Sequence, residues 1–354
     1  MSRRDIYYWK CDRPAAFHGT ALRGSPDSEV EQLLHHVLQR HFGTDRVLLT
    51  PGAGQGNHLT WNANVDGQAM FVRVENGPER DSHLDVESQL LKLVRDACVR
   101  TPTVFGSDAS RTEVPFAWQA LERIEFPDLN AWFKQGTLDV PQIAFEFGVA
   151  IARWQQIHRP GFGPFDETLS GYHATYADYF HLRLDEHLQF LVSRGFLIPD
   201  LSHDIRREIE VHGSLLKVES GCFVHKDLAL WNALGSTQHV AAFIDFDDSI
   251  CGDPTDDFSL LACFHDAAFL RRVVDGYVTI AELPSQFERR FWMHLLRNML
   301  VKSVIRVGAG YFDRDDGFFL IPSGQSGRSF RQVTFDRLML ALDGLRTGAT
   351  LDVL

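Results

Sequence analysis

Three polar residues beside two short apolar runs constrain the fold of this chain more than any other feature. Asp227 follows the run at residues 222–224, Asn232 lies five positions later, and Asp245 lies 13 positions after that, behind a second run at 243–244. Apolar runs this short, bounded by polar residues, are typical of buried strands. A loop closed by two neighbouring strands has its ends close together. The sequence therefore predicts that these three side chains meet at one edge of a sheet.

This set of side chains matches the needs of one reaction type, phosphoryl transfer. A carboxylate has to accept the proton of the attacking hydroxyl, and hard oxygen ligands have to bind the magnesium ion that offsets the charge of a triphosphate. We therefore expect Asp227 to be the catalytic base and Asn232 and Asp245 to bind Mg²⁺, with ATP or GTP as co-substrate. The alternative is that the three residues only form turns near strand ends.

Four segments resemble the aminoglycoside phosphotransferase and choline kinase family, to which the protein kinases are more distantly related. They are the H-x-D-x-x-x-x-N pattern at 225–232, the Ile-Asp-Phe-Asp stretch at 244–247, the G-D-P-x-x-D pattern at 252–257, and a helix-and-glycine segment at 151–163 that is similar to the hygromycin B phosphotransferase branch. The resemblance covers roughly residues 45–345. It implies an α+β fold that is bilobal and protein-kinase-like, with a small antiparallel-sheet N-lobe and a mainly helical C-lobe.

The pattern of apolar residues supports two lobes of different composition. Residues 1–122 are predicted to form the nucleotide-binding lobe and residues 123–354 the catalytic and substrate-binding lobe. The first lobe opens with an amphipathic helix whose capping box is formed by Ser28 and Glu31, and an Asp-Gly pair at 66–67 predicts a hairpin turn. Strands are predicted at 47–49, 58–65, 69–75, 103–105 and 114–121, with a helix at 84–95.

The second lobe is predicted to be mostly helical from about residue 127 onwards. Apolar residues at helical spacing, from Ile143 to Trp154, mark one buried helix face. Residues 1–24 contain the aromatic run Tyr7-Tyr8-Trp9 and are expected to pack on the first lobe. The other predicted elements are helices at 171–195 and 203–217, strands at 222–224 and 240–246, and a loop near 324–327.

A glycine-rich turn at residues 52–56 is the candidate phosphate loop. Gly52, Gly54 and Gly56 lie between two predicted strands. Glycines allow backbone N–H groups to approach phosphate oxygens closely. The family resemblance implies that this turn covers the triphosphate.

The resemblance implies further nucleotide contacts in the first lobe. Arg73 occupies the strand position where protein kinases carry a lysine that contacts the α- and β-phosphates, and Glu87 is the candidate partner that holds Arg73 in place. An arginine can bind phosphate through two parallel N–H donors. The purine is expected near Gln119 and Leu121, bound through backbone groups.

Other polar residues of the motif segments are expected to support the site. His225 and Asp257 are predicted to fix the catalytic loop by hydrogen bonds rather than to take part in the chemistry. Asp247 and Asp248 are candidate contacts to a cationic acceptor, with solvated loop carboxylates as the alternative.

The chain departs from the family pattern at two positions. Lys226 replaces a glycine that is common in the phosphotransferases, and Ala229 stands where many protein kinases have a lysine that reaches the γ-phosphate. Only six residues separate Asp245 from Gly252, which leaves no room for the long segment on which protein kinases dock peptides. The sequence therefore favours a small-molecule acceptor over a protein.

Composition narrows the class of partner. The formal charge is −12, and it divides into −3 for residues 1–122 and −9 for residues 123–354. This acidity disfavours nucleic acid and favours a cationic or sugar-like small molecule bound by the second lobe. The five cysteines include no C-x-x-C pair and no stretch is long and apolar enough for a membrane span, so we expect a cytoplasmic protein.

Two other functions compete with a small-molecule kinase. One is a catalytically inactive, nucleotide-binding regulatory pseudokinase, although every member of the predicted base-and-metal set is present. The other is a metal-dependent hydrolase that uses His225, Asp227 and Asp245 as ligands, which would leave Asn232 and the glycine turn without a role.

Overall fold

A five-stranded antiparallel sheet forms the smaller lobe of the computed structural model, which describes residues 3–19, 28–52, 58–313 and 328–354. The hairpin at Asp66 and Gly67 has positive φ at both residues, which confirms the predicted turn. In chain order, the elements as far as the end of this sheet are α1 (Trp9–Asp12), α2 (Ser28–Phe42), β1 (Val47–Pro51), β2 (Leu59–Val65), β3 (Gln68–Glu75), α3 (His83–Asp96), β4 (Val104–Asp108) and β5 (Ala117–Glu122). The strand order is β1-β2-β3-β5-β4.

The core of the smaller lobe lies between α2 and the sheet. Alternation along β2 buries Trp61, Ala63 and Val65 on the same face as the apolar side of α2. The indole N–H of Trp61 donates to the Glu31 carboxylate at 2.9 Å. The predicted capping box is therefore wrong, because Trp61 engages Glu31 and Ser28 is itself the first residue of the helix.

The larger lobe is mainly helical, with two small antiparallel sheets ordered β10-β9 and β7-β6-β11-β8. Its elements are α4 (Leu129–Lys134), α5 (Val140–Trp154), β6 (Phe162–Phe165), β7 (Gly171–His173), α6 (Tyr176–Phe180), α7 (Leu184–Ser193), α8 (Pro199–Val211), β8 (Cys222–Val224), β9 (Ala233–Gly235), β10 (Val240–Phe243), β11 (Ile250–Gly252), α9 (Asp256–Ala262), α10 (Ala267–Tyr277), α11 (Phe287–Gly308) and α12 (Phe330–Thr347). Short 3-10 turns occur at Arg3–Asp5, Gly213–Leu216, Leu230–Asn232, Phe246–Asp248, Tyr311–Asp313 and Leu351–Val353. This architecture confirms the predicted bilobal α+β fold.

Helix α11 is the centre of the larger lobe. It is buried along most of its length because α7, α9 and α12 pack around it. Three of its polar residues, Arg297, Asn298 and Lys302, are also buried. Buried polar groups need partners: Arg297 contacts His187 of α7, and Asn298 and Lys302 contact the loop that follows β8.

The single helix predicted over residues 171–195 is wrong. Residues 171–173 form β7, and the helical part is divided at Arg183, whose φ of 58° lies in the left-handed region. A residue in that conformation cannot continue a right-handed helix, so α6 and α7 are separate. The loop predicted near 324–327 lies outside the described residues.

Residues 3–19, which we call the N-terminal strap, lie against the larger lobe for most of their length. The Tyr7 ring stacks on Tyr179, and the Tyr179 hydroxyl donates to the Tyr7 carbonyl at 2.9 Å. The Arg297 guanidinium lies over the Tyr7 ring, 3.7 Å from its centroid. The expected packing on the first lobe is therefore wrong for most of the strap.

No helix in the described ranges combines the length and the apolar character needed to cross a lipid bilayer.

The crossing of α5 and α10 depends on two glycines. A Cβ atom at Gly148 would lie 1.9 Å from the Val273 carbonyl oxygen, and one at Gly276 would lie 2.0 Å from the Phe145 carbonyl oxygen. Both obstacles are backbone atoms of the facing helix. The two helices can approach this closely only because neither position carries a side chain.

We expect Gly148→Ala to lower the free energy of unfolding by about 3 kcal/mol, because the helix pair must separate to accept the methyl group. Urea unfolding followed by circular dichroism measures the change. Gly213→Ala is the matched control, since a Cβ atom at Gly213 meets nothing within 4 Å. Equal unfolding midpoints for the two variants would contradict the proposed role of this crossing.

Candidate active site

The loop that follows β8 is held in place by one buried carboxylate. Asp257 accepts N–H groups from His225 and Lys226 at 3.2 Å each and from the Trp154 indole at 3.0 Å. Burial raises the pKa of Asp257 to about 7, although its three N–H donors favour the ionised form. Asp257 thus fixes the start of the loop by hydrogen bonds, which is the supporting task expected for it from the sequence.

His225 connects this loop to the next strand. Its Nδ1 accepts the backbone N–H of Asp227 at 3.3 Å, and its Nε2 donates to the Ile244 carbonyl at 3.1 Å. The hydrogen-bond network assigns the ring proton to Nε2. Neither ring nitrogen is left for a metal ion, so the geometry does not suit the hydrolase in which His225 is a metal ligand.

The carboxylate of Asp227 is buried and contacted on both oxygens. Oδ1 accepts from the Tyr8 hydroxyl at 2.5 Å and from the Lys302 ammonium at 3.2 Å. Oδ2 accepts from the Lys10 ammonium at 2.5 Å and from the Asn232 amide at 3.1 Å. Burial alone would raise the pKa of Asp227, but the two ammonium groups and these hydrogen bonds hold it well below its usual value.

Asn232 contacts Oδ2 of this carboxylate, and Asp245 follows the residue that pairs with Asn232. The Asn232 amide nitrogen also donates to the Asp227 carbonyl at 2.8 Å, so the amide oxygen faces the opposite way. The Ile244 N–H donates to the Asn232 carbonyl at 3.0 Å, which places Asp245 beside it. The Asp245 side chain is 37% exposed and lies 3.6 Å from the Arg73 guanidinium. The two oxygen-bearing groups fit the hard ligand set that Mg²⁺ prefers.

Arg73 and Glu87 form the pair expected from the family resemblance. The Arg73 Nη2 donates to Glu87 Oε2, and the other oxygen of Glu87 accepts the Phe246 backbone N–H at 3.0 Å. Arg73 also donates to the Gln119 side-chain oxygen through Nε at 3.1 Å and through Nη2 at 2.6 Å. The guanidinium of Arg73 is therefore fixed from three sides, with its Nη1 towards Asp245.

The structure gives Gln119 and Leu121 a different task from the predicted purine contact. The Gln119 side chain is buried and occupied by Arg73. Both residues lie on β5, where Leu121 pairs with Phe71 on one side and Val104 on the other. Backbone groups of a strand flanked on both sides are used by the sheet. A backbone contact to a purine has to come from residues beyond Glu122, where the chain leaves the sheet.

Asp247 is not free to contact an acceptor, whereas Asp248 is only half-buried and stays a candidate contact. Asp247 is buried, and Arg3 binds its carboxylate at 2.9 Å and its carbonyl at 2.7 Å, which corrects both the acceptor and the solvated-loop interpretation. Burial opposes ionisation, but Arg3 lowers the pKa of Asp247 well below its usual value. The Asp248 carboxylate accepts the Trp9 backbone N–H at 3.3 Å. Both side chains hold the N-terminal strap.

The glycine-rich turn begins at the end of β1. The Gly52 N–H donates to the Thr60 carbonyl at 2.8 Å, and a Cβ atom at Gly52 would lie 2.6 Å from the Thr60 hydroxyl oxygen. Glycine is therefore required where the turn leaves the sheet. Gly54 and Gly56 lie outside the described residues.

Sequence reasoning missed Tyr8, Lys10 and Lys302, which contact the Asp227 carboxylate. The signals were present but weak. Tyr8 and Lys10 belong to an aromatic and basic run at the start of the chain, and Lys302 interrupts an apolar stretch of α11. A buried lysine needs a carboxylate partner, but the sequence does not show which of the many carboxylates it meets.

Lys226 occupies the position at which the family commonly has a glycine, and its contacts explain why a lysine is tolerated there. Its φ of 65° is left-handed, which suits glycine and is unfavourable for lysine. The buried ammonium offsets this cost through Asp256 at 2.6 Å, Asn298 at 3.1 Å and the Tyr7 hydroxyl at 3.2 Å. Lys226 thus faces away from the Asp227 carboxylate and connects the loop to the strap.

The sequence of this chain resembles one known protein family. Residues 48–292 match the family model described as the phosphotransferase enzyme family. No curated protein sequence matched the chain.

Solved structures share the fold at low sequence identity. Aminoglycoside phosphotransferase APH(4)-Ia is similar with a TM-score of 0.63 and 16% identity over 90% of this chain and 100% of that one. A putative fructosamine-3-kinase from Haemophilus somnus 129PT gives 0.58 and 18% over 87% and 96% of the two chains. The gentamicin complex of APH(2")-IIa gives 0.55 and 15% over 93% and 99%. These matches confirm the kinase-like fold.

We expect Lys226→Met to lower the free energy of unfolding by about 3–5 kcal/mol, because Asp256 would lose its cationic partner inside the protein. Thermal and urea unfolding measure this. Lys217→Met is the control, since Lys217 is exposed. Adding Asp256→Asn to Lys226→Met is expected to restore part of the loss. A Lys226→Met protein as stable as the control would contradict the buried ion pair.

Proposed function

Because this chain belongs to the phosphotransferase enzyme family, we propose that it transfers the γ-phosphate of ATP or GTP to a hydroxyl group of a small molecule. The observation that carries the proposal is the contact of Asp227 with Asn232 at the end of β8, beside the exposed Asp245. A buried base next to hard oxygen ligands is the arrangement that phosphoryl transfer needs.

In the proposed reaction, Asp227 orients the acceptor hydroxyl and takes its proton. The hydroxyl oxygen forms a bond to the γ-phosphorus, and the bond from that phosphorus to the β,γ-bridging oxygen breaks. The electron pair of the broken bond stays with the nucleoside diphosphate, and the proton is later released to solvent. The low pKa of Asp227 keeps it ionised, so its main task is to position the hydroxyl.

Mg²⁺ is proposed to bind to Asn232 and Asp245. The fit rests on their oxygen donors and on the exposure of Asp245, the side chain of this group most open to solvent. A bound divalent ion would neutralise part of the negative charge of the triphosphate. Asn232 keeps its oxygen available because its nitrogen is already bound to Asp227.

The first lobe is proposed to bind the nucleotide. Arg73, held by Glu87, contacts the α- and β-phosphates, and the glycine turn at 52–56 covers the triphosphate. Support comes from the rigid placement of Arg73 beside Asp245. We propose the division between nucleotide-binding and catalytic lobes at residues 122 and 123, with the N-terminal strap belonging to the second lobe.

We propose an acceptor that is sugar-like or bears an amine. Support comes from the second-lobe charge of −9 and from the short connection between Asp245 and Gly252. The ammonium groups of Lys10 and Lys302 at Asp227 limit this proposal to acceptors whose amines lie away from the reacting hydroxyl. All five cysteines are free thiols, which supports a reducing, cytoplasmic setting.

Incubation with Mg·ATP or Mg·GTP and a panel of aminoglycosides, amino alcohols, nucleosides and amino sugars is expected to release nucleoside diphosphate with at least one acceptor. Asp227→Asn should lower that turnover by about 10²–10⁴ while binding nucleotide nearly as well, because the base is lost but the phosphate contacts remain. Coupled ADP detection and mass spectrometry of the acceptor measure both. Nucleotide binding with no turnover on any acceptor would favour the pseudokinase.

Asp245→Ala is expected to weaken binding of Mg·ATP by about tenfold or more, because one of two protein ligands to the ion is lost. Isothermal titration calorimetry with and without Mg²⁺ separates the metal contribution from that of the nucleotide. Asp343→Ala, an exposed carboxylate on α12, is the control. Equal affinities in the presence of Mg²⁺ would refute the assignment of Asp245.

A further inference from the structure

The N-terminal strap is held next to the site by buried hydrogen bonds. Asp12 accepts the backbone N–H groups of Tyr7 and Tyr8 through Oδ2, and its Oδ1 accepts from His187 at 2.7 Å. Arg297 donates to the other nitrogen of His187 at 3.0 Å, so the ring proton points to Asp12. These buried bonds close the turn of chain that carries Lys10.

The strap is also attached to both lobes. The Arg3 guanidinium pairs with Asp81, which follows β3 in the smaller lobe, at 3.0 Å and with Asp247 of the larger lobe at 2.9 Å. The Trp9 ring lies 3.8 Å from the same guanidinium. With its flanking residues fixed in this way, the Lys10 backbone has one position relative to Asp227.

The catalytic loop itself offers no cation to the reacting centre. Leu228, Ala229, Leu230 and Trp231 are apolar, and the ammonium of Lys226 faces Asp256. Phosphoryl transfer places negative charge on three oxygens of the moving group, and cations next to those oxygens lower the barrier. Besides Mg²⁺ and Arg73, a further cation at these oxygens would have to come from another part of the chain.

Two lysines contact Asp227, and they differ in what their free N–H groups can reach. Lys302 is 9% exposed and donates a second hydrogen bond to the Tyr8 hydroxyl at 3.1 Å. Lys10 is 29% exposed and contacts Oδ2, the oxygen that Asn232 also contacts. An ammonium has three donors, and Lys10 uses one of them on Asp227. Lys10 is thus the more accessible of the two cations, and Asp245, the proposed Mg²⁺ ligand, is among the carboxylates close enough to act on its charge.

We propose that Lys10 is a catalytic residue whose ammonium contacts the oxygens of the transferred phosphoryl group while it stays paired with Asp227. The inference rests on the proposed kinase function and adds a residue that lies far outside the family-matched region, residues 48–292. The ammonium remains charged, since the carboxylates of Asp227, Asp245 and Asp248 outweigh the effect of burial and raise the pKa of Lys10.

Binding of ADP with and without aluminium fluoride tests this without any acceptor. Aluminium fluoride occupies the place of the moving phosphoryl group, so wild type is expected to bind Mg·ADP more tightly in its presence. Lys10→Gln, which keeps a hydrogen-bond donor to Asp227 but no charge, should lose about 10–100-fold of that tightening and change binding of Mg·ADP alone by less than about threefold. Lys10→Arg should retain most of the tightening, and Lys217→Met all of it.

A double variant separates direct contact from positioning of Asp227. If Lys10 touches the phosphoryl group, Asp227→Asn keeps much of the tightening and Asp227→Asn with Lys10→Gln loses it. If the Lys10→Gln loss disappears in the Asp227→Asn background, Lys10 acts only through Asp227 and the proposal is overturned. Undiminished tightening in a folded Lys10→Gln also overturns it, and Lys10→Ala is the substitute should Lys10→Gln fail to fold. A wild type that binds no Mg·ADP overturns the kinase function as well.

Discussion

The buried charge of Asp227 is the constraint on which the rest of the larger lobe depends. A carboxylate taken out of water needs compensation, and here two ammonium groups from opposite ends of the chain supply it. Lys302 reaches Asp227 because α11 packs next to the catalytic loop, and Lys10 reaches it because the N-terminal strap packs next to the same loop. The same requirement explains why α11 carries a buried lysine at Lys302.

Sequence reasoning located the parts of the site whose partners are close along the chain. Asp227, Asn232 and Asp245 occupy one short stretch, and Arg73 lies 14 positions from Glu87. Apolar runs and turn residues are enough to place such neighbours together, because few arrangements of short strands are possible. Most strands of the first sheet were predictable for the same reason, whereas the bilobal kinase-like fold and the pair of Arg73 with Glu87 were expected from the family resemblance.

The errors concern residues whose partners are distant in sequence. Asp247 has the composition of a ligand-binding loop carboxylate, but Arg3, 244 positions away, neutralises it. Gln119 was expected to contact a purine through its backbone, whereas its strand is paired with β3 on one side and β4 on the other. A sequence shows what each side chain can bind but not which group faces it across the fold. The contact of Lys10 with Asp227 was hidden in this way.

During synthesis, the site is complete only when the strap has packed against α11. Residues 3–19 leave the ribosome long before Lys302 and the rest of α11, and domains generally form as each is translated. Tyr7, Tyr8 and Trp9 therefore lack part of their binding surface until α11 has been translated. On the proposed role of Lys10, a nascent polypeptide without α11 cannot yet transfer a phosphoryl group, because the strap has not taken its place beside Asp227.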